Sequence, residues 1–404
     1  MAHPPWTNEF LDGMRLIGDD PADQLIKDLF ATHQIGAVNS MMRTLVENDR
    51  MPEGSIPENL RNFLQSVAIL PPWTDMEKIR AAENLFWLHG PAIVLLLFCY
   101  SLPFTYAARE EAQALARTGR LTTDPNRRVA ETAQMIIDVM APGGLTGSGA
   151  GVRTAQKVRL MHAGVRFQIL ASKQWPPQYG YPLNQEDLAG TLMSFCVIVL
   201  DGLSQLNISV SEAEAEAYLH CWNVVGHILG LKDEMIPENL TEAVTLAKAF
   251  RVRQFAECDE GKMMAKALLD LQAHILPGNV FDLIPRALTH HFIGEKMANI
   301  LEVPAVPFDD VLFRPLQRSN VIADDILKSS GWLKDLVEIV SMQLLESLQL
   351  VARGGKRTSF SIPKKLWRGW RRRKARRNNF FRAVVRTIGA LLRQLFHRSI
   401  DTSN

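Results

Sequence analysis

Apolar residues recur along this chain at steps of three and four positions, whereas strict alternation of apolar and polar residues is nearly absent. That periodicity predicts an all-α fold. The clearest predicted helix covers 152–171, in which Val158, Met161, Val165 and Ile169 form one apolar stripe. Caps and prolines predict further helix starts at Asp20, Pro57, Thr74, Pro91, Asp124, Asn184, Ser211 and Pro237.

One histidine, His162, lies inside the apolar stripe of the predicted helix 152–171. Arg159 and Arg166 stand three residues before it and four residues after it, so both guanidinium groups are expected on roughly its side of the helix. A histidine on an apolar face with flanking cations suits a ligand that is flat, apolar and anionic at its edge. The structural alternative is a core histidine that is satisfied by hydrogen bonds.

A second predicted helix comes before that one, beginning at Pro125 and ending near Met140. Arg128, Glu131 and Thr132 are spaced i, i+3 and i+4 within it, so they share one face. The structural alternative is a surface helix with an ordinary Arg–Glu ion pair.

The glycine-rich stretch 144–151 separates the two helices and is interpreted as a flexible turn. It lacks the Gly-Lys-Ser/Thr ending of a phosphate-binding loop. If the helices form an antiparallel hairpin, Arg128 and His162 lie roughly 18 Å and 15 Å from the turn. They would then face opposite sides of one plate-like ligand.

Three stretches resemble the latex-clearing-protein or rubber oxygenase family, which also includes fungal oxygenases of the mycophenolic-acid pathway. They are Lys-Val-Arg-Leu-Met-His-Ala-Gly-Val-Arg at 157–166, Ser-Leu-Pro-Phe-Thr-Tyr-Ala at 101–107, and the stretch 118–128. The resemblance extends over roughly 85–300. It implies an all-helical, globin-like core that holds a b-type haem without covalent links.

The resemblance also implies roles for residues of both predicted helices. His162 corresponds to the proximal ligand of the haem iron, and Arg128 and Thr132 correspond to residues on the distal side. As a permanent cation, Arg128 would stabilise bound dioxygen or a propionate, while Thr132 would donate a hydrogen bond. Arg159 and Arg166 are the candidate cations around the cofactor.

The sequence departs from the family pattern at Glu131. Characterised latex-clearing enzymes carry there a lysine that can approach the iron, so a lysine-ligated state is not expected here and polyisoprene is not assumed as the substrate. The family assigns the base that removes an allylic proton to a glutamate of the preceding helix. Glu110 and Glu111 are the candidates for that glutamate. Glu131, in the helix that begins at Pro125, is a further candidate for the base.

Charge divides the chain into an acidic body and a basic end. Residues 353–398 contain 16 Lys or Arg and no acid, which leaves 29 basic residues against 43 acidic ones in the rest. We therefore expect a helical haem-binding oxygenase domain at 1–352 and a basic amphipathic C-terminal arm at 353–404. No Cys-x-x-Cys-His motif is present, so any haem would lack thioether links.

Within the arm, tryptophans alternate with clustered cations over 364–377, and an apolar helical face with arginines opposite follows as far as Phe396. This pattern is typical of a basic amphipathic helix that lies on an anionic membrane surface. We therefore expect peripheral membrane contact through 364–398. The alternatives are nucleic acid, a groove on a partner protein, or a solvated tail.

The sequence thus predicts a haem b-dependent dioxygenase that uses dioxygen to cleave a carbon–carbon double bond in an apolar small-molecule or polyisoprenoid substrate, giving carbonyl products. The alternative is a non-catalytic haem-binding or helical interaction protein attached to a membrane surface. The N-terminus shows no secretory signal, and the apolar run 92–99 is too short to span a bilayer. A cytoplasmic or peripheral membrane location is therefore expected.

Overall fold

Helices form the regular structure wherever a computed structural model describes the chain, which is at residues 6–36, 38, 48, 56–117, 125–275, 283–305, 340–342, 344–346, 362–364 and 366–371. Within these ranges there is no strand, and Ala108 and Phe255 form an isolated antiparallel bridge. The all-α prediction is confirmed. The helices are α1 Asn8–Met14, α2 Asp20–Ala31, α3 Glu58–Val67, α4 Met76–Leu96, α5 Leu102–Tyr106, α6 Arg109–Ala116, α7 Pro125–Met140, α8 Gly151–Ala171, α9 Gln185–Gln205, α10 Glu212–Ile228, α11 Leu240–Gln254, α12 Asp259–Ile275 and α13 Leu283–Leu301.

The main core is built around α4, α9 and α10. α4 packs along α10, and α9 lies between α10 and α11. Their large side chains interlock, since Trp222 is fully buried and stacks on Phe195 with ring centroids 5.3 Å apart. Two segments of this core, Met76–Tyr106 and Gln185–Gln205, are long and apolar enough to cross a membrane, but 78% and 72% of their most apolar windows are buried inside the protein.

A second apolar cluster joins the N-terminal helices to α8. Leu25 and Leu29 of α2 pack with Leu160 of α8, and α3 closes the cluster. Phe30 stacks on Phe167 with ring centroids 4.3 Å apart. α8 is therefore held between α7 on one side and α2 on another.

Several predicted helix starts are confirmed, but the one at Pro91 is wrong. Asn184 and Ser211 cap α9 and α10 through their side chains, as predicted. Pro91 lies inside α4, and because proline has no N–H, the carbonyl of Trp87 one turn earlier loses its donor within the helix. The indole Nε1 of Trp370 donates to that carbonyl at 3.0 Å, which satisfies it from outside the helix.

The described part of the predicted arm therefore packs onto the body. Leu366 and Trp370 are buried, and a Cβ added to Gly90 of α4 would lie only 2.3 Å from the Trp370 ring. Trp370 is thus not available to a membrane, contrary to the expectation from its alternation with cations. The rest of the arm, which is 353–361, 365 and 372–404, lies outside the described residues.

A π-helix, Leu97–Ser101, continues α4 just before Pro103 and was not predicted from the apolar pattern. The side chain of Gln272 on α12 donates to the carbonyl of Phe98 at 3.0 Å, and the hydroxyl of Ser101 donates to the carbonyl of Ser194 at 2.6 Å. Short π-helical segments often lie at functional sites. This one faces α9 and α13 in the main core.

Candidate active site

The turn between α7 and α8 is tightly fixed, so its interpretation as a flexible turn is wrong. The Asn48 side chain donates to the carbonyl of Gly144 at 3.0 Å and accepts from the Arg153 amide at 3.0 Å. The Glu83 carboxylate accepts from the Gly143 amide at 2.9 Å. A Cβ at Gly149 would lie 2.3 Å from two carbonyl oxygens, so the close backbone approach requires glycine there.

The predicted antiparallel hairpin of α7 and α8 is present. The Thr154 hydroxyl donates to the Asp138 carboxylate at 2.7 Å across the two helices. Burial raises the pKa of Asp138 above its ordinary value, although the Thr154 hydrogen bond opposes the shift. Burial also lowers the pKa of Lys157, one turn further along α8, and Asp138 opposes that shift.

This contact fixes which residues of α7 and α8 lie at the same height. His162 follows Thr154 by eight residues, or about 12 Å along the axis of α8. The same distance back from Asp138 along α7 ends at Ala130, between Arg128 and Thr132 and next to Glu131. Thr132 is buried and Glu131 is half-buried. The hairpin therefore places His162 level with the residues that the sequence had grouped on α7.

His162 itself is half-buried on α8, and its Nδ1 atom lies in the protein interior. Arg128 belongs to the first turn of α7, but its side chain lies outside the described residues. Among the described residues, no three His, Cys, Asp or Glu side chains form a group that could hold a metal ion.

Arg159 and Arg166 lie on the face of α8 that packs against α2, where each forms an ion pair with an aspartate. Arg159 donates from Nε and Nη2 to the two oxygens of Asp19 at 2.7 and 2.8 Å. Arg166 donates from Nε to Asp23 at 2.7 Å. α2 therefore supplies an anionic partner to each arginine, and a role of either one around a cofactor stays a prediction.

Glu110 faces a cluster of buried charges rather than α8. It forms an ion pair with Arg15, which also donates to Glu186 and Asp187 at 3.1 Å each. Burial raises the pKa of Asp187 to about 6, although Arg15 opposes the shift. Arg253 completes the cluster through Glu186, at 2.7 Å.

Glu111, the neighbouring carboxylate on α6, is buried, and it accepts a hydrogen bond from the Thr191 hydroxyl of α9 at 2.6 Å. One turn further along α6, Ala114 belongs to a small apolar cluster with Ile169 and Val165 of α8.

The direction of α6 follows from its other end, where Arg117 donates to the carbonyl of Gln174 beyond the end of α8. α6 therefore runs in the same direction as α8. One turn back along both helices brings Glu111 to the height of residues 162–166 of α8.

Asp19, Asp23 and Thr191 were not predicted as residues around this site. The pattern Asp19-Asp20-Pro21 does carry information about Asp19, but it was interpreted only as a helix cap. The sequence assigned the cap of α2 to Asp20, whereas the N-cap is Asp19, whose carboxylate makes no capping hydrogen bond and binds Arg159 instead. A carboxylate facing a guanidinium fork forms two charge-assisted bonds, which are stronger than a cap to a neutral amide.

Comparison with known proteins identifies the class of protein. The profile of the family described as ER-bound oxygenase mpaB/B′/Rubber oxygenase, catalytic domain, matches residues 84–319. Because this match covers more than half of the 404 residues, the chain belongs to that family, and it is an oxidoreductase of the oxygenase class. The resemblance seen at 101–107, 118–128 and 157–166 is confirmed.

Two individual proteins are similar to this chain. The rubber oxygenase of Streptomyces sp. (strain K30) is 26% identical over 294 residues, which are 72% of each protein. The solved structure of latex clearing protein in the closed state aligns with a TM-score of 0.70 at 23% identity, covering 87% of this chain and 95% of that one. The second comparison shows a shared fold.

Proposed function

We propose that this oxygenase is a haem b-dependent dioxygenase that cleaves a carbon–carbon double bond of an isoprenoid or similarly apolar substrate to carbonyl products. The observation that carries the proposal is the α7–α8 hairpin, in which helical rise from the Thr154–Asp138 contact puts His162 within one turn of Arg128, Glu131 and Thr132. The similarity to a rubber oxygenase supports a polyisoprenoid as the substrate class.

The residues present fit a haem. A porphyrin supplies four nitrogen ligands, so the iron needs only one protein donor on its proximal side, and a single half-buried imidazole is suitable. One ring nitrogen of His162 would hold the iron, and the other would donate to a neighbouring acceptor that orients the ring. When bound, the haem would supply the site at which dioxygen is activated.

We assign the residues that would act on the dioxygen-binding side of the haem, away from His162, to α7. Thr132 is buried, so its hydroxyl is positioned to donate a hydrogen bond within an environment of low polarity, where such bonds are strong. Arg128 would contribute a permanent positive charge from the first turn of α7. Glu131 occupies the place of the family's lysine, and its carboxylate excludes lysine ligation there.

We assign the catalytic base to Glu111 rather than Glu110. Glu110 is held by Arg15, and an ion-paired carboxylate is a weaker proton acceptor. Glu111 is buried and is oriented by the hydroxyl of Thr191. In this assignment a carboxylate oxygen of Glu111 takes the allylic proton while the Thr191 hydroxyl holds Oε1 in place.

An absorption spectrum and a turnover assay test the proposed function. Purified full-length protein supplied with haem should develop a Soret band, and it should consume dioxygen and release carbonyl products when given a polyisoprenoid. A Soret band without turnover would favour the non-catalytic haem-binding alternative. No Soret band would contradict the cofactor assignment.

We further propose peripheral membrane contact through 364–398, and the described start of the arm supports it. Lys364, Arg368 and Arg371 are exposed and share one helical face, opposite the buried Leu366. The ring of Trp367 is half-exposed, with the Arg371 guanidinium 5.9 Å from its centroid. Cations beside an amphipathic aromatic ring suit the headgroup region of an anionic bilayer.

The docked segment decides where the arm should be cut to test this contact. A truncation after Arg371 keeps the buried Trp370, whereas an earlier cut would expose the core. The full-length chain should co-sediment with anionic vesicles, less at high salt and not with neutral vesicles, because each cation contributes about 1 kcal/mol near an anionic surface. The truncated chain should bind at least roughly tenfold more weakly. Equal sedimentation of both chains would show that 372–398 does not contribute to membrane binding. Binding of nucleic acid but not of vesicles would contradict membrane contact and favour nucleic acid as the partner of the arm.

A further inference from the structure

Three charged side chains between residues 15 and 23 reach the helices that carry the candidate site residues, although this stretch lies outside the matched region 84–319. They are Arg15, Asp19 and Asp23, and all three are buried. A buried charge is costly unless it is paired, so each of these residues holds its partner in a defined position.

The pair nearest the start of α8 is Asp19 with Arg159. Two parallel hydrogen bonds, at 2.7 and 2.8 Å, join the carboxylate to the guanidinium fork. The remaining nitrogen, Nη1, donates to the carbonyl of Ile228 at the end of α10, at 3.1 Å. A bidentate pair constrains direction as well as distance. This one fixes how α8 is rotated against α2 and α10.

The second pair, Asp23 with Arg166, lies on the other side of His162. Arg166 is 1% exposed and donates to Asp23 at 2.7 Å and to the carbonyl of Leu183 at 3.4 Å. Arg159 and Arg166 are separated by about 10 Å along α8, with His162 between them. Two anchors that bracket a residue prevent both sliding and rotation of the helix at that residue.

Arg15 makes the corresponding connection to α6. Its guanidinium pairs with Glu110, next to Glu111, and donates to Glu186 and Asp187 at the start of α9. α9 also carries the Thr191 hydroxyl that binds Glu111. Arg15 therefore links α6, which carries Glu111, to α9, which carries the Thr191 hydroxyl that binds Glu111.

We propose that Arg15, Asp19 and Asp23 are positioning residues of this oxygenase, through which the N-terminal segment fixes the His162 helix and the Glu111 helix in their relative places. The proposal rests on the proposed function for its consequence in turnover. Its structural part, that the segment fixes α8 and α6, stands on the ion pairs alone. None of the three residues is assigned contact with substrate or cofactor.

The test uses full-length protein with Asp19→Asn and Asp23→Asn, each compared with Asp20→Asn. Asp20 is the matched control because it is an exposed aspartate at the start of the same helix. Amide hydrogen exchange over 157–168 is measured without substrate or haem. The Soret maximum and the iron–histidine stretch of haem-loaded protein are then recorded, and kcat and KM are determined separately on a polyisoprenoid.

We expect Asp19→Asn and Asp23→Asn to raise exchange over 157–168 by roughly tenfold, while Asp20→Asn stays at the wild-type rate. The iron–histidine stretch should shift. kcat should fall roughly ten- to a hundredfold with KM within about twofold, because misplaced catalytic groups mainly slow the chemical step. Wild-type exchange and wild-type kcat in both variants would overturn the proposal.

Two further variants keep the test decisive if an asparagine variant does not fold. Arg159→Lys retains the charge but loses the fork, so it should fold and still raise exchange and shift the stretch. Unchanged behaviour of Arg159→Lys would overturn the proposal. Arg15→Lys should lower kcat and leave exchange in α8 unchanged, because Arg15 contacts α6 and α9. If wild-type protein shows no turnover, the proposed function fails, whereas the exchange results still decide whether the segment fixes α8.

Discussion

His162→Ala protein is expected to lose its haem, with no Soret band after purification and with affinity for added haem lowered by more than roughly a hundredfold. Removing a residue that hydrogen-bonds to a metal ligand lowers metal affinity by about 10- to 100-fold, so removing the ligand itself should lower haem affinity further. Haem titration followed by absorbance measures the effect. Far-ultraviolet circular dichroism should stay unchanged, because alanine favours a helix.

The matched control for that substitution is His227→Ala. His227 stands on α10, is substantially exposed, and lies 3.4 Å from Asp233 at the surface. Its replacement should leave the Soret band and the haem affinity at wild-type values. A wild-type spectrum in His162→Ala would instead assign the iron to another residue, and His227 and His291 would be the next to replace.

The α7–α8 part of the site could be predicted from the sequence because local information determines it. The apolar stripe around His162 defines one helix, and Pro125 starts the other. Only the ten residues 141–150 separate them, so an antiparallel pair is the natural arrangement. The similar height of His162 and Arg128 then follows from helical rise.

The partners of Arg159 and Arg166 could not be predicted in that way. Helical spacing places both on one side of α8, but it says nothing about what packs against that side. The carboxylates that bind them stand 140 and 143 positions earlier in the chain. The local pattern therefore fits an anionic ligand and the carboxylates of α2 equally well.

Pro91 shows a limit of a different kind. A proline ordinarily argues against a helix interior because it removes one donor and clashes with the preceding turn. α4 nevertheless continues through Pro91, since Trp370 donates to the carbonyl that the proline leaves without a donor. Compensation from 283 residues away is not visible in a local pattern.

The choice between Glu110 and Glu111 was left open by the sequence, and their surroundings now make it testable. Both are adjacent on α6, but Glu110 is paired with Arg15 while Glu111 is buried against Thr191. Sequence alone could not separate them because the difference lies entirely in contacts from other helices.

Glu111→Gln is expected to keep its haem and its fold while kcat for cleavage falls by roughly a hundredfold or more, the contribution of a positioned general base. The amide retains an oxygen that accepts from Thr191, so the geometry is preserved, but it cannot take a proton.

Glu110→Gln, the same change one residue away, should lower kcat far less, because Glu110 contacts Arg15. Initial rates of carbonyl formation measure both, and substrate deuterated at the allylic carbon should show a primary isotope effect in wild type. A wild-type rate in Glu111→Gln, with the loss found instead in Glu110→Gln or Glu131→Gln, would transfer the role of base to that residue.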